Sequence, residues 1–375
     1  MQVRRLAFVL PLLAAAPARA GLAPESQEAS FLFHYFADVE DVHVRSHYAF
    51  YGLDLGGRTL NLEFNHERVS IPAVQAPVGS QEADDAITAA SRPIANASDA
   101  FSDYIKVRNA LQADIALGPG KLGFYRSQEV DYNASMVSGS LQRDLDHRQL
   151  NVSVGAGYGW DRVEPLSDED TSGDARSKRI VHFNVVATRI LDPKTVLRLG
   201  GELNRLSGLQ HNPYRNVYAG GAREPELHPD ERHRQDVFVK LNRYLGEHSS
   251  LNVDYRYYND DWKLHSHTAG LKLNQYLGSD LVLRYRYRFY RQSGAWFWAE
   301  EYASASGIDG YRSGDYRLGP FDAHLFGTRL EWMPSALASR WRLLTRCTLR
   351  LGYERYFNTN DFAANVFETG LSLDF

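Results

Sequence analysis

Residues 363–375, the end of the chain, read A-A-N-V-F-E-T-G-L-S-L-D-F and alternate between apolar and polar side chains. Successive side chains of a β-strand point to opposite faces of the sheet. One face of this strand therefore holds Phe367, Thr369, Leu371, Leu373 and Phe375, and the other holds Glu368, Gly370, Ser372 and Asp374. Such a strand fits a sheet with lipid on one side and water on the other, provided that the rest of the chain repeats the pattern.

The same alternation runs through most of the chain, in segments of about 10–15 residues that turn residues separate. The predicted strands are residues 31–37, 43–55, 58–68, 103–117, 119–131, 133–144, 148–160, 177–190, 194–207, 233–245, 249–260, 263–277, 280–292, 315–332, 340–357 and 363–375. Single-chain bacterial membrane barrels have an even number of strands. We therefore predict an all-β fold, a transmembrane antiparallel up-and-down β-barrel of about 16 strands, with 14 as the alternative.

The connections between the predicted strands divide into two classes. Those that follow even-numbered strands are short and centre on turn residues such as Gly56-Gly57 and Gly118-Pro119-Gly120. The long ones all follow odd-numbered strands, near 69–102, 161–176, 208–232 and 293–314. Short periplasmic turns and long external loops are typical of outer-membrane barrels, whereas a soluble β-sandwich has no reason to collect its long loops at one end.

Residues 281–289, L-V-L-R-Y-R-Y-R-F, place Arg284, Arg286 and Arg288 on one face of a strand. An arginine that faces lipid at the bilayer midplane costs about 2–4 kcal/mol, so these side chains are expected to face the lumen. The same argument assigns three more side chains to the lumen: Asp254, Arg256 and Lys272.

The arginines have two interpretations. Unpaired, they would form an anion-selective strip along the channel. Paired with carboxylates such as Asp254 and Glu368, they would brace the wall. Because the predicted lumen holds charges of both signs, we favour pairing and do not predict strong anion selectivity.

The first twenty residues combine Arg4 and Arg5 with an apolar run over 6–16 and a small-residue site, Ala18-Arg19-Ala20. This is the pattern of a cleaved secretory signal peptide, and the run is too short to span a bilayer as a helix. We therefore expect residues 1–20 to be removed and residues 21–375 to form a single barrel domain. The predicted location is the outer membrane of a Gram-negative bacterium.

Composition and motifs exclude several classes of function. The net charge of −4 lacks the basic excess of nucleic-acid binders, and the single cysteine, Cys347, rules out an intramolecular disulfide and covalent haem. His265 and His267 share a strand face, but a metal site needs three or four converging ligands. The chain has no G-x-S-x-G, P-loop or H-E-x-x-H motif. We expect no cofactor, no metal and no enzymatic activity.

The segments Y-R-Y-Y-N-D-D-W, N-Q-Y-L-G, Y-R-Y-R-F-Y-R-Q and G-D-Y-R-L-G lie at 255–262, 274–278, 285–292 and 314–319. With E-V-D-Y-N-A-S at 129–135 and N-P-Y-R at 212–215, they resemble a proteobacterial family of predicted outer-membrane barrels that is catalogued as a domain of unknown function. Lys263 and Phe297-Trp298 depart slightly from the family pattern. The resemblance implies a barrel and adds no activity or catalytic residue.

The external ends of adjoining strands are predicted to carry a cluster of polar and aromatic residues: Asp260, Asp261, Trp262, Asp315 and Arg317. This cluster is either a platform for a ligand or partner, or a hydrogen-bonded rim that holds the base of the loop near 293–314. We favour the hydrogen-bonded rim.

A barrel of about 16 strands encloses an aqueous channel unless loops plug it. The leading hypothesis is passive or weakly selective passage of small solutes. The alternatives are a non-transporting scaffold or adhesin that holds a periplasmic or surface partner and, third, an outer-membrane lipid hydrolase. The expected partners are outer-membrane lipid and the barrel assembly machinery, which would read the closing strand at Leu371, Leu373 and Phe375. The strand pattern fits a monomer and a trimer equally.

Overall fold

Every neighbouring pair of barrel strands is antiparallel, and the last strand pairs with the first. The computed structural model describes residues 24–72, 104–166, 174–246, 248–334 and 346–374. Its strands are β1 (Ser26–Asp38), β2 (His43–Asp54), β3 (Arg58–Ile71), β4 (Tyr104–Leu117), β5 (Gly120–Gln128), β6 (Tyr132–Leu145), β7 (Leu150–Val163), β8 (Arg176–Asp192), β9 (Thr195–Gly208), β10 (Asn216–Ala219), β11 (Ala222–Pro225), β12 (Glu231–Gly246), β13 (Ser249–Asp260), β14 (His265–Leu277), β15 (Leu281–Gln292), β16 (Phe321–Trp332), β17 (Cys347–Asn358) and β18 (Ala363–Asp374). All except β10 and β11 belong to one closed barrel of 16 strands.

The closing strand β18 lies where the sequence predicts it. It pairs with β17 on one side and with β1 on the other, where Leu371 lies opposite Phe31 and Phe367 lies opposite Tyr35. Among the described residues, closure gives every barrel strand a partner on both sides, so the barrel exposes no open strand edge to the hydrocarbon of a membrane. The predicted fold class is therefore confirmed, with 16 strands. Phe375, the last residue of the proposed assembly signal, lies outside the described residues.

The outer surface of the barrel is apolar. On β8, for example, Val181, Phe183 and Val185 are 50%, 42% and 39% exposed, whereas His182 and Asn184 between them face inward. A continuous exposed belt of aliphatic and aromatic side chains around a closed sheet is the architecture of an outer-membrane β-barrel. Among the described residues, no helix is long and apolar enough to cross a membrane.

Two predicted strand starts differ from the structure by five residues or more. β1 begins at Ser26, five residues before the predicted start. β16 begins at Phe321, whereas we predicted a start at 315, because residues 316–318 form a 3-10 turn that the Asp315 side chain caps at the Arg317 N–H. The predicted start of the next strand, at 340, falls outside the described residues, and β17 is described from Cys347.

The two ends of the barrel differ as the connections predicted. Short turns join the strands at one end, and Gly56 and Gly57, with φ of 74° and 81°, take the left-handed backbone conformation that glycine adopts easily. The long connections between β7 and β8, β9 and β12, and β15 and β16 lie at the other end. Because outer-membrane barrels carry their long loops on the external side, we assign this end as the external mouth.

Candidate functional site

Two long external connections fold against each other. Residues 209–230 contain the β10–β11 hairpin, which the sequence analysis did not predict, and residues 293–320 lie beside it. Isolated β-bridges join Ala219 to Tyr302 and Leu227 to Arg312. We call these two segments together the loop cap.

The loop cap has its own apolar core. Phe297 is fully buried and packs with Ala295 and Leu318 of the cap and with Trp262 and Leu264 of the β13–β14 turn beneath it. The rings of Phe297 and Trp262 meet edge to face, with centroids 5.1 Å apart. A core of this kind, built from loop residues, gives the connections a defined structure that polar loops would lack.

A buried carboxylate ties the two segments together. Glu226, at the end of the first segment, accepts hydrogen bonds from the Ser313 hydroxyl at 3.0 Å and from the Gly314 N–H at 2.9 Å. Arg215 lies 3.6 Å from Glu226 and 3.4 Å from Asp315, with the distances measured between side-chain nitrogen and oxygen. Because Glu226 is fully enclosed, these contacts supply the hydrogen bonds that a buried carboxylate requires.

The cap is anchored to the barrel wall beneath it through Asp260 at the end of β13. The Asp260 carboxylate accepts hydrogen bonds from the Arg232 Nε at 2.8 Å, the Tyr258 hydroxyl at 2.7 Å and the Leu264 N–H at 3.0 Å. The Arg232 guanidinium also lies over the Trp262 ring, 4.0 Å from its centroid. One ion pair therefore joins β12, β13 and the core of the cap.

The cap also contacts the other sides of the mouth. Tyr214 donates a hydrogen bond to Asp131, in the β5–β6 connection, at 2.5 Å. Lys106 of β4 holds the same carboxylate at 2.8 Å. Tyr316 stacks on Phe362, in the β17–β18 connection, with ring centroids 6.2 Å apart. These contacts on widely separated strands show that the loop cap crosses the external mouth and narrows it.

The predicted lumenal charges lie on the inner wall below the cap. Arg286 binds Glu354 at 2.7 Å, and Arg256 binds Asp236 at 2.5 Å. Arg284 donates to Asn274 at 2.7 Å and lies 3.7 Å from Glu331.

The predicted partners of the arginines were wrong. Glu368 binds Arg329 at 2.9 Å, and Asp254 forms no ion pair within 4.0 Å among the described residues. The register of the sheet decides the partners: Arg286 on β15, for example, reaches Glu354 on β17 across Gly327 of the strand between them. Lys272 and Arg288 also have no ion-pair partner in the described part of the chain.

The predicted external-rim residues do not converge on one exposed platform. Asp260 and Trp262 are buried in the anchor and core of the cap, while Asp261 binds His233 on the outer surface. Asp315 and Arg317 lie within the cap and pair with each other at 2.8 Å, which corrects their predicted place at a strand end.

Sequence reasoning missed Glu226, Arg232 and Tyr214, whose partners lie 28 to 88 residues away along the chain. The run Trp296-Phe297-Trp298 was the available signal, because three aromatic residues seldom occur together in a loop without a core to enter.

Acid is expected to loosen the cap through His228. Burial, with the nearby His211 as a smaller cause, lowers the pKa of His228 from 6.5 to about 3. Below pH 6.5 an unfolded cap therefore binds a proton that the folded cap excludes, so acidification from pH 7 toward 3 disfavours the folded cap. Burial raises the pKa of Glu226, which acts in the opposite direction.

The experiment follows tryptophan emission between pH 8 and 4, because three of the six tryptophans lie in or against the core of the cap: Trp262, Trp296 and Trp298. His228→Phe should shift the acid-induced change to lower pH. His147→Gln, in an exposed turn at the opposite end, serves as the control and should leave the transition unchanged. An identical transition in the wild type and His228→Phe would exclude His228 as the cause.

Comparison with known proteins finds one family model and a set of solved structures. The sequence model of a family described as "Protein of unknown function (DUF3570)" matches residues 74–347. No curated protein matches the sequence.

Solved structures with a similar fold include a loop-deletion mutant of OmpT, an outer membrane protein of Vibrio cholerae, at 10% identity and a TM-score of 0.44, covering 93% of this chain and 98% of that one. OpdL of Pseudomonas aeruginosa is similar at 9% identity and a TM-score of 0.42, with 93% and 98% covered. A mutant of the ferric enterobactin receptor PfeA of Pseudomonas aeruginosa shows 10% identity and a TM-score of 0.45, with 90% of this chain covered. The present chain spans 54% of that receptor.

Proposed function

The chain belongs to the DUF3570 family, and we propose from its geometry that it is an outer-membrane channel for weakly selective passage of small solutes. The observation that carries the proposal is a closed barrel of 16 strands whose external mouth is narrowed by a folded loop cap. Barrels of about 16 strands enclose an aqueous interior. Selectivity would then arise where the solute passes between the cap and the wall.

The charges of the inner wall support only weak ion selectivity. Arg256, Arg284, Arg286 and Arg329 each lie within 4.0 Å of a carboxylate oxygen. Paired charges brace the sheet and present little net field to a permeating ion. The proposed channel therefore selects solutes mainly by size and by contacts near the cap.

We propose passage rather than catalysis. A Ser–His hydrogen bond does exist on the outer rim, where the Ser293 hydroxyl lies 3.0 Å from His265 Nδ1. In the described part of the chain, however, no carboxylate or amide side chain hydrogen-bonds the His265 ring, and the Ser293 hydroxyl also accepts the His265 N–H. A catalytic base needs a third group to orient it, so this pair fits a structural hydrogen bond that joins β14 to the start of the β15–β16 connection.

Liposome swelling tests the proposal. Liposomes that contain the purified, folded protein should swell in solutions of small neutral solutes, at rates that fall steeply as solute size increases. Protein-free liposomes set the baseline, and heat-modifiable mobility shows that the barrel is folded. Swelling no faster than the baseline with folded protein would support the scaffold alternative.

Deleting Phe375 is expected to lower the amount of barrel in the outer membrane several-fold. The alternation of the sequence predicts that the Phe375 side chain shares the lipid-facing side of the closing strand with Leu371 and Leu373. We propose that the assembly machinery recognises this face. Cell fractionation and heat-modifiable mobility measure the assembled protein. Phe375→Tyr, which keeps an aromatic ring, is the control, and normal assembly of the deletion would exclude this role.

A further inference from the structure

An open cavity of about 530 Å³ lies beneath the loop cap, on the side of the mouth formed by β1, β15, β16 and β17. Six aromatic side chains line it: Phe36, Tyr290, Tyr316, Phe321, Tyr356 and Phe362. Both the barrel wall and the cap contribute rings. The volume falls within the range of about 300–1,000 Å³ that is typical of small-molecule sites.

Five of the six rings contact one another in two groups, and together the six rings form the aromatic surface of the cavity. Tyr290 lies against Phe321 with ring centroids 5.5 Å apart, and Tyr356 meets Phe362 edge to face at 5.9 Å. Rows of the inner wall closer to the periplasmic end carry the paired charges of Arg284 and Arg286 instead. An aromatic surface that faces an aqueous lumen offers a planar solute a place to stack.

Arg288 lies in this cavity and has no partner of its own. Among the described residues it forms neither an ion pair nor a hydrogen bond, in contrast to Arg284 and Arg286 on the same strand. Its cross-strand neighbours are Gly270 and Leu325, and the Asp254 carboxylate, which lies over Gly270, forms no ion pair with it within 4.0 Å. A guanidinium with free N–H groups binds a carboxylate through two parallel hydrogen bonds.

The wall of the cavity is held in place by the cap. Gln292 Nε2 donates a hydrogen bond to the Arg317 carbonyl oxygen at 2.8 Å, and Gln292 Oε1 accepts one from the Tyr290 hydroxyl at 2.6 Å. These bonds fix Tyr290 relative to the 3-10 turn that carries Tyr316. The aromatic surface is thus preorganised, which favours affinity for a rigid ligand.

We propose that this cavity binds a small aromatic carboxylate, with its ring against the aromatic surface and its carboxylate on Arg288. The inference rests on the proposed function, since it names the class of solute that a channel of this kind would select. Charge and shape both enter the assignment: Arg288 supplies an unmatched positive charge, and the rings supply a flat apolar surface.

Binding to the purified, detergent-solubilised full-length protein tests the inference without any transport step. Equilibrium dialysis should show saturable binding of benzoate, with much weaker binding of acetate, which lacks the ring, and of benzamide, which lacks the charge. Arg288→Gln should weaken benzoate binding by about 10-fold to 100-fold, as expected for hydrogen bonds to a charged group. Arg288→Lys keeps the charge but loses the two-pronged geometry, and should bind with intermediate affinity.

Arg291→Gln is the matched control, because it removes the same charge from the outer surface, where Arg291 pairs with Asp322 at 2.5 Å. It should bind benzoate like the wild type, and heat-modifiable mobility confirms that each variant is folded. The inference is overturned by absent saturable binding to folded wild type, by equal affinity for acetate and benzoate, or by unchanged affinity in Arg288→Gln. A protein that conducts ions but does not bind benzoate would contradict this inference and leave the proposed channel function intact. A folded barrel that binds benzoate but never conducts would contradict the proposed channel function.

Discussion

Asp260→Ala is expected to release the loop cap from the barrel wall and to destabilise the cap by about 3–5 kcal/mol, the usual effect of removing one partner of a buried ion pair. Arg232, only 8% exposed, would keep its charge without the carboxylate that now binds it. Tyr258 and the Leu264 N–H would lose the same acceptor. The barrel itself should persist, because its backbone ladder does not depend on this side chain.

Limited proteolysis measures the release. External protease should cut Asp260→Ala within residues 293–320 much faster than it cuts the wild type, while heat-modifiable mobility stays unchanged. Asp261→Ala is the control, since the neighbouring carboxylate is exposed and binds His233 on the outer surface. Equal cleavage of the wild type and Asp260→Ala would show that the ion pair does not hold the cap. Loss of heat-modifiable mobility would mean instead that the ion pair supports the whole barrel.

Phe297→Ala is expected to destabilise the cap by about 3–5 kcal/mol through the cavity that it leaves, as large-to-small changes of buried aromatic residues do. Phe297 is 0% exposed and contacts Trp262, Trp296 and Tyr311. Its removal should let water reach the two tryptophans, so their emission should move to longer wavelength. Phe297 lies in the loop cap and not in the barrel wall, so the barrel should still assemble.

The matched control for this change is Phe326→Ala, which removes a ring that is 50% exposed on the outer surface of β16. It should leave both tryptophan emission and protease sensitivity of the cap as in the wild type. Emission from Phe297→Ala that matches the wild type would contradict a cap with a packed core around this residue.

The barrel could be predicted from sequence because its determinants are local. The alternation of residues 281–289 fixes which side chains face inward, and the turn at Gly56 and Gly57 fixes where β2 ends. The grouping of short and long connections then orders the strands without any knowledge of contacts. Closure of the barrel follows from the same pattern. In an up-and-down barrel each predicted strand pairs with its neighbours along the chain, so the last strand, β18, pairs with the first, β1.

The loop cap could not be predicted in the same way. Its contacts join residues that lie far apart in sequence, such as Glu226 with Gly314, and no local periodicity marks them. The segment that holds Asp315 and Arg317 alternates in polarity like a strand, but the Asp315 cap and Pro320, which lacks an N–H, favour a turn there. The partners of the lumenal arginines depend on the register of neighbouring strands, as in the pairing of Arg286 with Glu354 across β16.

Single-channel recording in planar bilayers tests the central claim most directly, with purified wild type compared with Asp260→Ala. A channel narrowed by the loop cap should give small, stepwise conductance in the wild type and larger steps in Asp260→Ala, where the cap is released. Silence from both proteins, when each shows the heat-modifiable mobility of a folded barrel, would contradict the claim that this barrel passes solutes.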